Sequence, residues 1–169
     1  MQKIAKFEKV SAAQFAEAWR ELFGTDEGAR EVLEALPLPR RATLGSAGYD
    51  FVLPVDLELN PGETAKIPTG IRARIDEGWV LLLYPRSGLG FQYRLQLNNT
   101  VGVIDSDYYH SSNEGHIFIK ITNDSNEGKH LSLKAGDGFA QGIFTPFGIV
   151  EDDETEGIRD GGFGSTSQK

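Results

Sequence analysis

The chain has 169 residues, of which 39% are hydrophobic and 25% are charged, and it contains no cysteine. These values predict a single folded domain and exclude disulfides, cysteine-based zinc sites and thiol nucleophiles. The formal net charge of −8 argues against a nucleic-acid partner, because it repels a phosphate backbone. Since the sequence has neither a run long enough for a membrane helix nor a secretory signal, we expect a cytoplasmic protein without membrane contact.

Residues 11–35 are the one segment with clear helical periodicity. Apolar residues recur at spacings of three and four, which predicts two short helices that pack as a hairpin. Ser11 is the expected N-cap of the first helix, Gly24 is its expected end, and Asp26 is the expected N-cap of the second. The segment therefore resembles an appendage on a larger body.

From residue 48 onwards the pattern changes to the alternation of polar and apolar residues that is typical of strands. Turn residues separate the runs, and the sequence contains 20 glycines. Short strands at this spacing predict an all-β domain, built as a sandwich, a jelly roll or a small barrel. The predicted runs are 55–59, 71–75, 79–84, 117–121, 131–133 and 139–147.

A glycine-rich segment, 85–90, follows the apolar run 79–84. Gly88 permits a close backbone approach, and the N–H groups of Ser87 and Gly88 could face an anion beside the Arg86 guanidinium. The segment is either a phosphate cradle or a turn that ends a strand and carries a surface arginine, and on its own it does not decide between them.

Residues 98–109 read as a hairpin whose second strand delivers two aspartates and two tyrosines to one end. Asp105 should lie at the rim of the core, where partial desolvation suits a general base, although it could instead cap a turn. Tyr108 could equally fill the core.

Three further segments combine glycines with polar groups. Segments 47–50 and 136–141 place Asp50 and Gln141 beside glycines at strand edges. The tail 158–169 is too rich in glycine for a strand and should be a mobile arm that orders on ligand binding.

Taken in chain order, AGYDF, PRSGLG, GVIDSDYY, GDGFAQ and GGFGST closely resemble the five motifs of the homotrimeric dUTPase family, the dUTP diphosphatases. The resemblance covers about residues 37–166. It implies a jelly-roll or distorted-barrel trimer that hydrolyses dUTP to dUMP and pyrophosphate with Mg²⁺. It also implies one domain over residues 1–157, with a helical insertion at about 11–35, and a mobile arm over 158–169.

The resemblance also assigns roles to individual residues. Asp105 is expected to activate the water that attacks the α-phosphorus, and Tyr108 to pack under the deoxyribose and exclude a 2′-hydroxyl. Asp50 is expected to reach the metal through water, and Arg159 to close over the phosphates. The remaining expected substrate-binding residues are Arg86, Ser87, Gly88 and Gln141 for phosphate, Asn99, Gly102, Val103 and Ile104 for uracil, and Phe163, Gly164, Ser165 and Thr166 in the arm.

Some features depart from the family pattern or leave alternatives open. Arg159 stands closer to the double glycine than is usual, and residues 109–114 replace a tighter turn. The resemblance gives the helical segment no role; we expect its apolar face to pack on the trimer surface or to bind a protein partner. A dCTP deaminase of the same fold, or an interaction protein that senses dUTP, remains an alternative function.

Overall fold

The computed structural model describes residues 1–157 and 159. Strands dominate the described chain, as the alternating pattern predicted. The strands are β1 (Ala5–Lys9), β2 (Tyr49–Val52), β3 (Leu57–Leu59), β4 (Thr64–Pro68), β5 (Ile71–Ile75), β6 (Trp79–Pro85), β7 (Leu95–Leu97), β8 (Gly102–Ile104), β9 (Phe118–Asn123), β10 (Leu131–Leu133) and β11 (Gly138–Pro146). The helices are α1 (Ala12–Phe23), α2 (Ala29–Ala35), α3 (Ser87–Tyr93) and a 3₁₀ helix (Ser106–His110).

The strands form four antiparallel sheets. A four-stranded sheet has the order β2-β11-β6-β8 and a three-stranded sheet the order β4-β9-β7, while β1 pairs with β5 and β3 with β10. One apolar core joins these sheets, with fully buried side chains such as Leu81, Ile119 and Phe139. Over the described part of the chain the sheets stay separate and no closed barrel forms.

The prediction of a hairpin over residues 98–109 is wrong. β7 pairs with β9 and β8 pairs with β6, so the turn between them links two sheets and does not return along one. Thr100 in this turn has a φ of 67°. The second strand is only three residues long because the chain enters the 3₁₀ helix at Ser106, which places Tyr108 and Tyr109 on helical backbone.

The helical hairpin forms with one change at its second helix. Ser11 caps α1 by accepting a hydrogen bond from the Gln14 N–H, and Gly24 ends the helix with a φ of 76°, as predicted. The N-cap of α2 is Gly28, not Asp26. The Asp26 carboxylate binds the Arg20 guanidinium, and the Asp26 carbonyl, not its side chain, accepts from the Ala29 N–H at 3.2 Å.

The apolar face of the helical hairpin is covered within the chain. Phe15 and Trp19 of α1 pack with Leu33 and Leu36 in a second apolar cluster. This cluster lies against Gly70, where an added Cβ would stand 2.8 Å from Leu33 Cδ1. Most of the face is therefore covered within the chain, and only Phe23 at the end of α1 stays 45% exposed. Phe15 and Trp19 need neither a trimer surface nor a protein partner to cover them.

None of the helices in the described ranges has both the length and the apolar character needed to cross a membrane.

Candidate functional site

The ends of β2, β6 and β11 bring three of the predicted binding residues together. Asp50 of β2 pairs with Gln141 of β11, which in turn pairs with Tyr84 of β6. Arg86 follows β6 directly, and its Nε lies 3.4 Å from Asp50 Oδ1. The Gln141 amide donates to the Pro85 carbonyl at 3.2 Å. A cation, a carboxylate and an amide thus share one corner of the four-stranded sheet.

Two glycines make room for these side chains. A Cβ at Gly138 would lie 2.6 Å from Arg86 Nη1, and a Cβ at Gly48 would collide with Gln141 Oε1. Any other residue would therefore have to displace the guanidinium or the amide. Sequence reasoning noted these glycines only as neighbours of polar residues, and their role as spacers depends on contacts between distant segments.

The segment after β6 is a helix start, not a plain turn. Arg86 is the N-cap of α3, so the N–H groups of Ser87 and Gly88 belong to its first turn, where backbone donors lack partners within the helix. These residues border an open cavity of about 650 Å³ that we call the cradle. The predicted residues lining the cradle are Asp50, Arg86, Ser87, Gly88 and Gln141.

Of the described residues that line the cradle, Asp50 is the one that carries a carboxylate. Among the described residues there is no group of three or more histidine, aspartate or glutamate side chains able to hold a metal ion. Any divalent cation here would have to take most of its oxygen ligands from a bound phosphate and from water.

Asp105 lies in a second cluster, between β8 and the 3₁₀ helix. Its side chain is 48% exposed, in keeping with a place at the rim of the core. Arg159 approaches it from the C-terminal segment, with Nη2 3.2 Å from Asp105 Oδ2 and Nη1 3.7 Å from Asp107 Oδ1. The structure therefore places Arg159 beside these aspartates of its own chain.

Tyr108 is part of the main core, with 2% of its surface exposed. Its hydroxyl donates to the His116 carbonyl at 2.7 Å and accepts from Asn113 Nδ2 at 2.8 Å. The Arg159 guanidinium lies 5.5 Å from the ring centre. Burial raises the pKa of the Tyr108 phenol, so the hydroxyl keeps its proton at neutral pH.

The predicted uracil-reading residues lie in and after the turn between β7 and β8. Asn99 and Gly102 line a cavity of about 790 Å³ whose opposite wall includes Gln14 and Glu17 of α1. Val103 projects into solvent, with 51% exposure, and Ile104 enters the core. The helical hairpin therefore borders the region predicted to read the base, which the sequence did not reveal.

The two clusters lie at opposite ends of β6. Ile104 pairs with Leu81, so Asp105 comes level with Val80, whereas Arg86 follows the far end of the strand. Six extended residues at ~3.3 Å each separate the two levels by about 20 Å. A single chain thus brings the phosphate-binding candidates together but does not place Asp105 beside them.

The predicted residues Phe163, Gly164, Ser165 and Thr166 lie outside the described residues. Asn113, Glu114 and His116, which surround Tyr108, escaped sequence reasoning. The signal available for them was the lengthened segment after Tyr108, which was noted only as a departure.

The fold and the cradle define an antiparallel β protein whose guanidinium, amide and helix N–H groups at one sheet corner suit an anionic ligand. The chain belongs to the dUTPase family, whose sequence model matches residues 34–167.

Named relatives and a solved structure agree with this assignment. The chain is 42% identical over 132 residues to the deoxyuridine 5′-triphosphate nucleotidohydrolase of Lactococcus lactis, covering 76% of this chain and 87% of that protein. It is 39% identical over 144 residues to the enzyme of the same name from Photorhabdus laumondii, covering 80% and 90%. The dUTPase structure from Streptococcus mutans superposes with a TM-score of 0.63 at 34% identity, covering 86% of this chain and 98% of the other. These matches do not favour the dCTP deaminase alternative.

Proposed function

We propose that this protein hydrolyses dUTP to dUMP and pyrophosphate. The observation that carries the proposal is that a chain of the dUTPase family gathers Arg86, Ser87 and Gln141 around one cradle. A guanidinium, backbone donors and an amide suit the oxygens of a triphosphate. The relatives named above carry this activity in their names.

The active site is shared between copies of the chain. The base that activates the attacking water must lie within hydrogen-bond reach of it, yet Asp105 and Arg86 stand about 20 Å apart along β6. Asp105 of one copy therefore meets the cradle of another. This arrangement supports the expected homotrimer, since a closed ring gives every cradle one partner carboxylate.

Asp105 acts as the general base. It takes a proton from water, the water oxygen bonds to the α-phosphorus, and the bond from that phosphorus to the bridging oxygen breaks so that pyrophosphate leaves. Arg86, the first N–H groups of α3 and Gln141 hold the phosphate oxygens in place as charge moves to the leaving group. Those N–H groups belong to Ser87 and Gly88.

Recognition of the nucleoside uses residues next to Asp105. Asn99 and the backbone of Gly102, Val103 and Ile104 read the edge of uracil, and the Tyr108 ring packs under the deoxyribose, where a 2′-hydroxyl would clash. In the structure, the Arg159 guanidinium lies beside Asp105 and 5.5 Å from the ring centre of Tyr108. Bound phosphates would compete for its guanidinium, so we infer that Arg159 changes partners when dUTP binds.

Asp50 fits a role near a magnesium ion held by the substrate. Its carboxylate is the one acidic group among the described residues that line the cradle, and its 3.4 Å contact with Arg86 leaves oxygen capacity for a metal-bound water. Mg²⁺ would neutralise charge on the phosphate oxygens when bound. The Asp50 side chain would orient the hydration shell from the protein side.

We also propose the finer architecture that the family resemblance implies. We assign the four sheets to a jelly roll over residues 1–157, with residues 11–35 inserted after the first strand. Residues 158–169 form the closing arm, in which Phe163 stacks on uracil, Gly164 lets the arm approach closely, and Ser165 and Thr166 bind the terminal phosphates. The family match begins at residue 34, which supports treating the helices as an addition.

One assay tests the proposed function. Pyrophosphate release is measured with dUTP, dCTP, dTTP and UTP at equal concentration with Mg²⁺. The proposal expects dUTP to be the preferred substrate, with dUMP as the second product. Ammonia release from dCTP, or equal turnover of dTTP and dUTP, would contradict it.

A further inference from the structure

The segment Ser111–His116, which we call the platform loop, surrounds the hydroxyl of Tyr108. Asn113 Nδ2 donates to the phenol oxygen at 2.8 Å, and the phenol donates to the His116 carbonyl at 2.7 Å. The Ser111 N–H donates to the Tyr108 carbonyl at 3.1 Å. The loop therefore holds the tyrosine at its backbone and at its ring.

The backbone of the platform loop is tightly constrained. Asn113 Oδ1 accepts from the Gly115 N–H at 3.2 Å, and the Asn113 carbonyl accepts from the His116 N–H at 3.1 Å. Gly115 has a φ of 71°, and a Cβ there would lie 2.8 Å from the Tyr108 carbonyl oxygen. These contacts leave Asn113 little freedom, so its amide stays directed at the phenol.

Glu114 attaches the platform loop to α1. Its two carboxylate oxygens accept from the Ser11 N–H at 2.8 Å and the Ser11 hydroxyl at 2.7 Å, while the same hydroxyl caps α1 by accepting from the Gln14 N–H at 3.1 Å. These bonds lower the pKa of Glu114. Glu114 also has a φ of 59°, a conformation unfavourable for a glutamate that persists only where the surroundings enforce it.

His116 provides a second connection to the helices. Its Nε2 accepts from the Gly70 N–H at 3.0 Å, and its ring centre lies 6.0 Å from that of Phe15 in α1. The platform loop is thus held at Glu114 by the helical hairpin and at His116 by the turn on which the hairpin packs.

We propose that Asn113 and Glu114 are positioning residues for Tyr108, and that the helical hairpin supports the sugar platform through them. This inference rests on the proposed function, because it assigns the helical hairpin a part in discriminating dUTP from UTP. Asn113 fixes the phenol, and Glu114 fixes the loop that carries Asn113. Loosening either contact lets the ring move away and admits a 2′-hydroxyl.

The test measures discrimination and ring motion in the full-length protein. kcat/KM is determined for dUTP and UTP, and the ring-flip rate of Tyr108 is measured by NMR with ¹³C-labelled tyrosine. Asn113→Ala should lower the dUTP/UTP ratio about fivefold, the worth of one neutral hydrogen bond, and accelerate the ring flip. Glu31→Gln, a change on the exposed side of α2, serves as the control and should match wild type in both measurements.

The connection to α1 is tested by a double-mutant cycle. Ser11→Ala removes the hydroxyl bond to Glu114 but keeps the bond from the Ser11 N–H, whereas Glu114→Gln removes the charged acceptor of both bonds. Each variant should lower the dUTP/UTP ratio about threefold, and the double variant should show less than the sum of the two effects, because both substitutions weaken the same hydroxyl–carboxylate contact. Glu114→Gln keeps the side-chain shape and carries the test if Asn113→Ala does not fold.

The outcomes separate the inference from the function on which it rests. A lower melting temperature in Asn113→Ala with an unchanged dUTP/UTP ratio and ring-flip rate would overturn the positioning role. Additive effects of Ser11→Ala and Glu114→Gln would overturn the link to the helices. If wild type releases no pyrophosphate from dUTP, the proposed function fails, and the ring-flip rates alone decide whether Asn113 and Glu114 position Tyr108.

Discussion

The buried ring of His116 predicts that the protein loses stability as the pH falls from 7 to 5. The side chain is fully buried, and its pKa is lowered from 6.5 to about 4. Burial is the main cause, the charge of Lys66 acts in the same direction, and Glu114 opposes the shift. The neutral ring suits its surroundings, because Nε2 accepts a hydrogen bond from the Gly70 N–H.

The direction and the size of this change in the free energy of unfolding follow from the linkage between protonation and folding. Below pH 6.5 the unfolded chain protonates this histidine, whereas the folded chain does so only near pH 4, so the unfolded state binds more protons between these values. The stability contributed by the neutral ring is therefore complete above pH 6.5 and decreases as the pH falls. At about 1.4 kcal/mol per pH unit, the loss from pH 6.5 to pH 5 is about 2 kcal/mol.

Urea unfolding at pH 7, 6 and 5 and at one protein concentration measures this loss, since an oligomer's stability depends on concentration. His116→Gln keeps an acceptor for the Gly70 N–H but has no proton to gain, so its free energy of unfolding should fall about 2 kcal/mol less than that of wild type over this range. His110→Gln, at an exposed histidine, should behave as wild type. Equal losses in wild type and His116→Gln would refute the reasoning.

Three further predictions concern single residues. Gly138→Ala should reduce kcat/KM for dUTP at least tenfold with little change in melting temperature, because the new methyl group displaces the Arg86 guanidinium; full activity would contradict the spacer role. Gly115→Ala should destabilise the fold by about 2 kcal/mol or more in urea unfolding, because it combines a positive φ with a clash against the Tyr108 carbonyl, and a loss below 0.5 kcal/mol would contradict this. Asp105→Asn should lower kcat at least a hundredfold while leaving the affinity for a non-hydrolysable dUTP analogue within about tenfold. Retention of a tenth of wild-type kcat would remove Asp105 from the role of base.

Local sequence patterns were enough to predict most of the elements. The alternation at 71–75 matches β5 residue for residue, and Ser11 and Gly24 mark the ends of α1 as predicted. The start of α2 was predicted at Asp26, but the N-cap is Gly28 and the Asp26 carboxylate binds Arg20. That choice depends on a side chain six residues away, which a capping pattern does not include.

The local sequence pattern did not predict which distant strands pair with one another. Residues 98–109 contain a turn between two apolar runs, which is the pattern of a hairpin. The partner of β7 is instead β9, more than 20 residues further along the chain. Alternation specifies that a segment is a strand but not which strand lies beside it.

In the candidate site, too, residues close in sequence were predicted together, whereas contacts between distant segments were not. Arg86, Ser87 and Gly88 stand together in sequence, so their shared place directly after β6 was predicted from a short motif, whereas the helix α3 that begins there was not. The platform loop was not, because its function depends on Glu114 meeting Ser11 across 103 residues. The distance between Asp105 and the cradle likewise required the register of β6 and β8.

The central claim, a dUTP-hydrolysing site shared between copies, is tested most directly by mixing two inactive variants. Asp105→Asn chains and Arg86→Ala chains are unfolded together in equal amounts and refolded, and native mass spectrometry confirms mixed trimers. A site works only where the cradle comes from an Asp105→Asn chain and the carboxylate from an Arg86→Ala chain, each with a probability of one half. The account therefore predicts recovery of about a quarter of wild-type dUTP hydrolysis.

A matched control separates a shared site from a site within one chain. Wild type mixed equally with chains that carry both substitutions should also give about a quarter of wild-type activity if the site is shared, but about half if one chain supplies both residues. Recovery of about a quarter in both mixtures is the predicted result. No activity above that of the parents in the first mixture, together with one half in the control, would contradict the shared site.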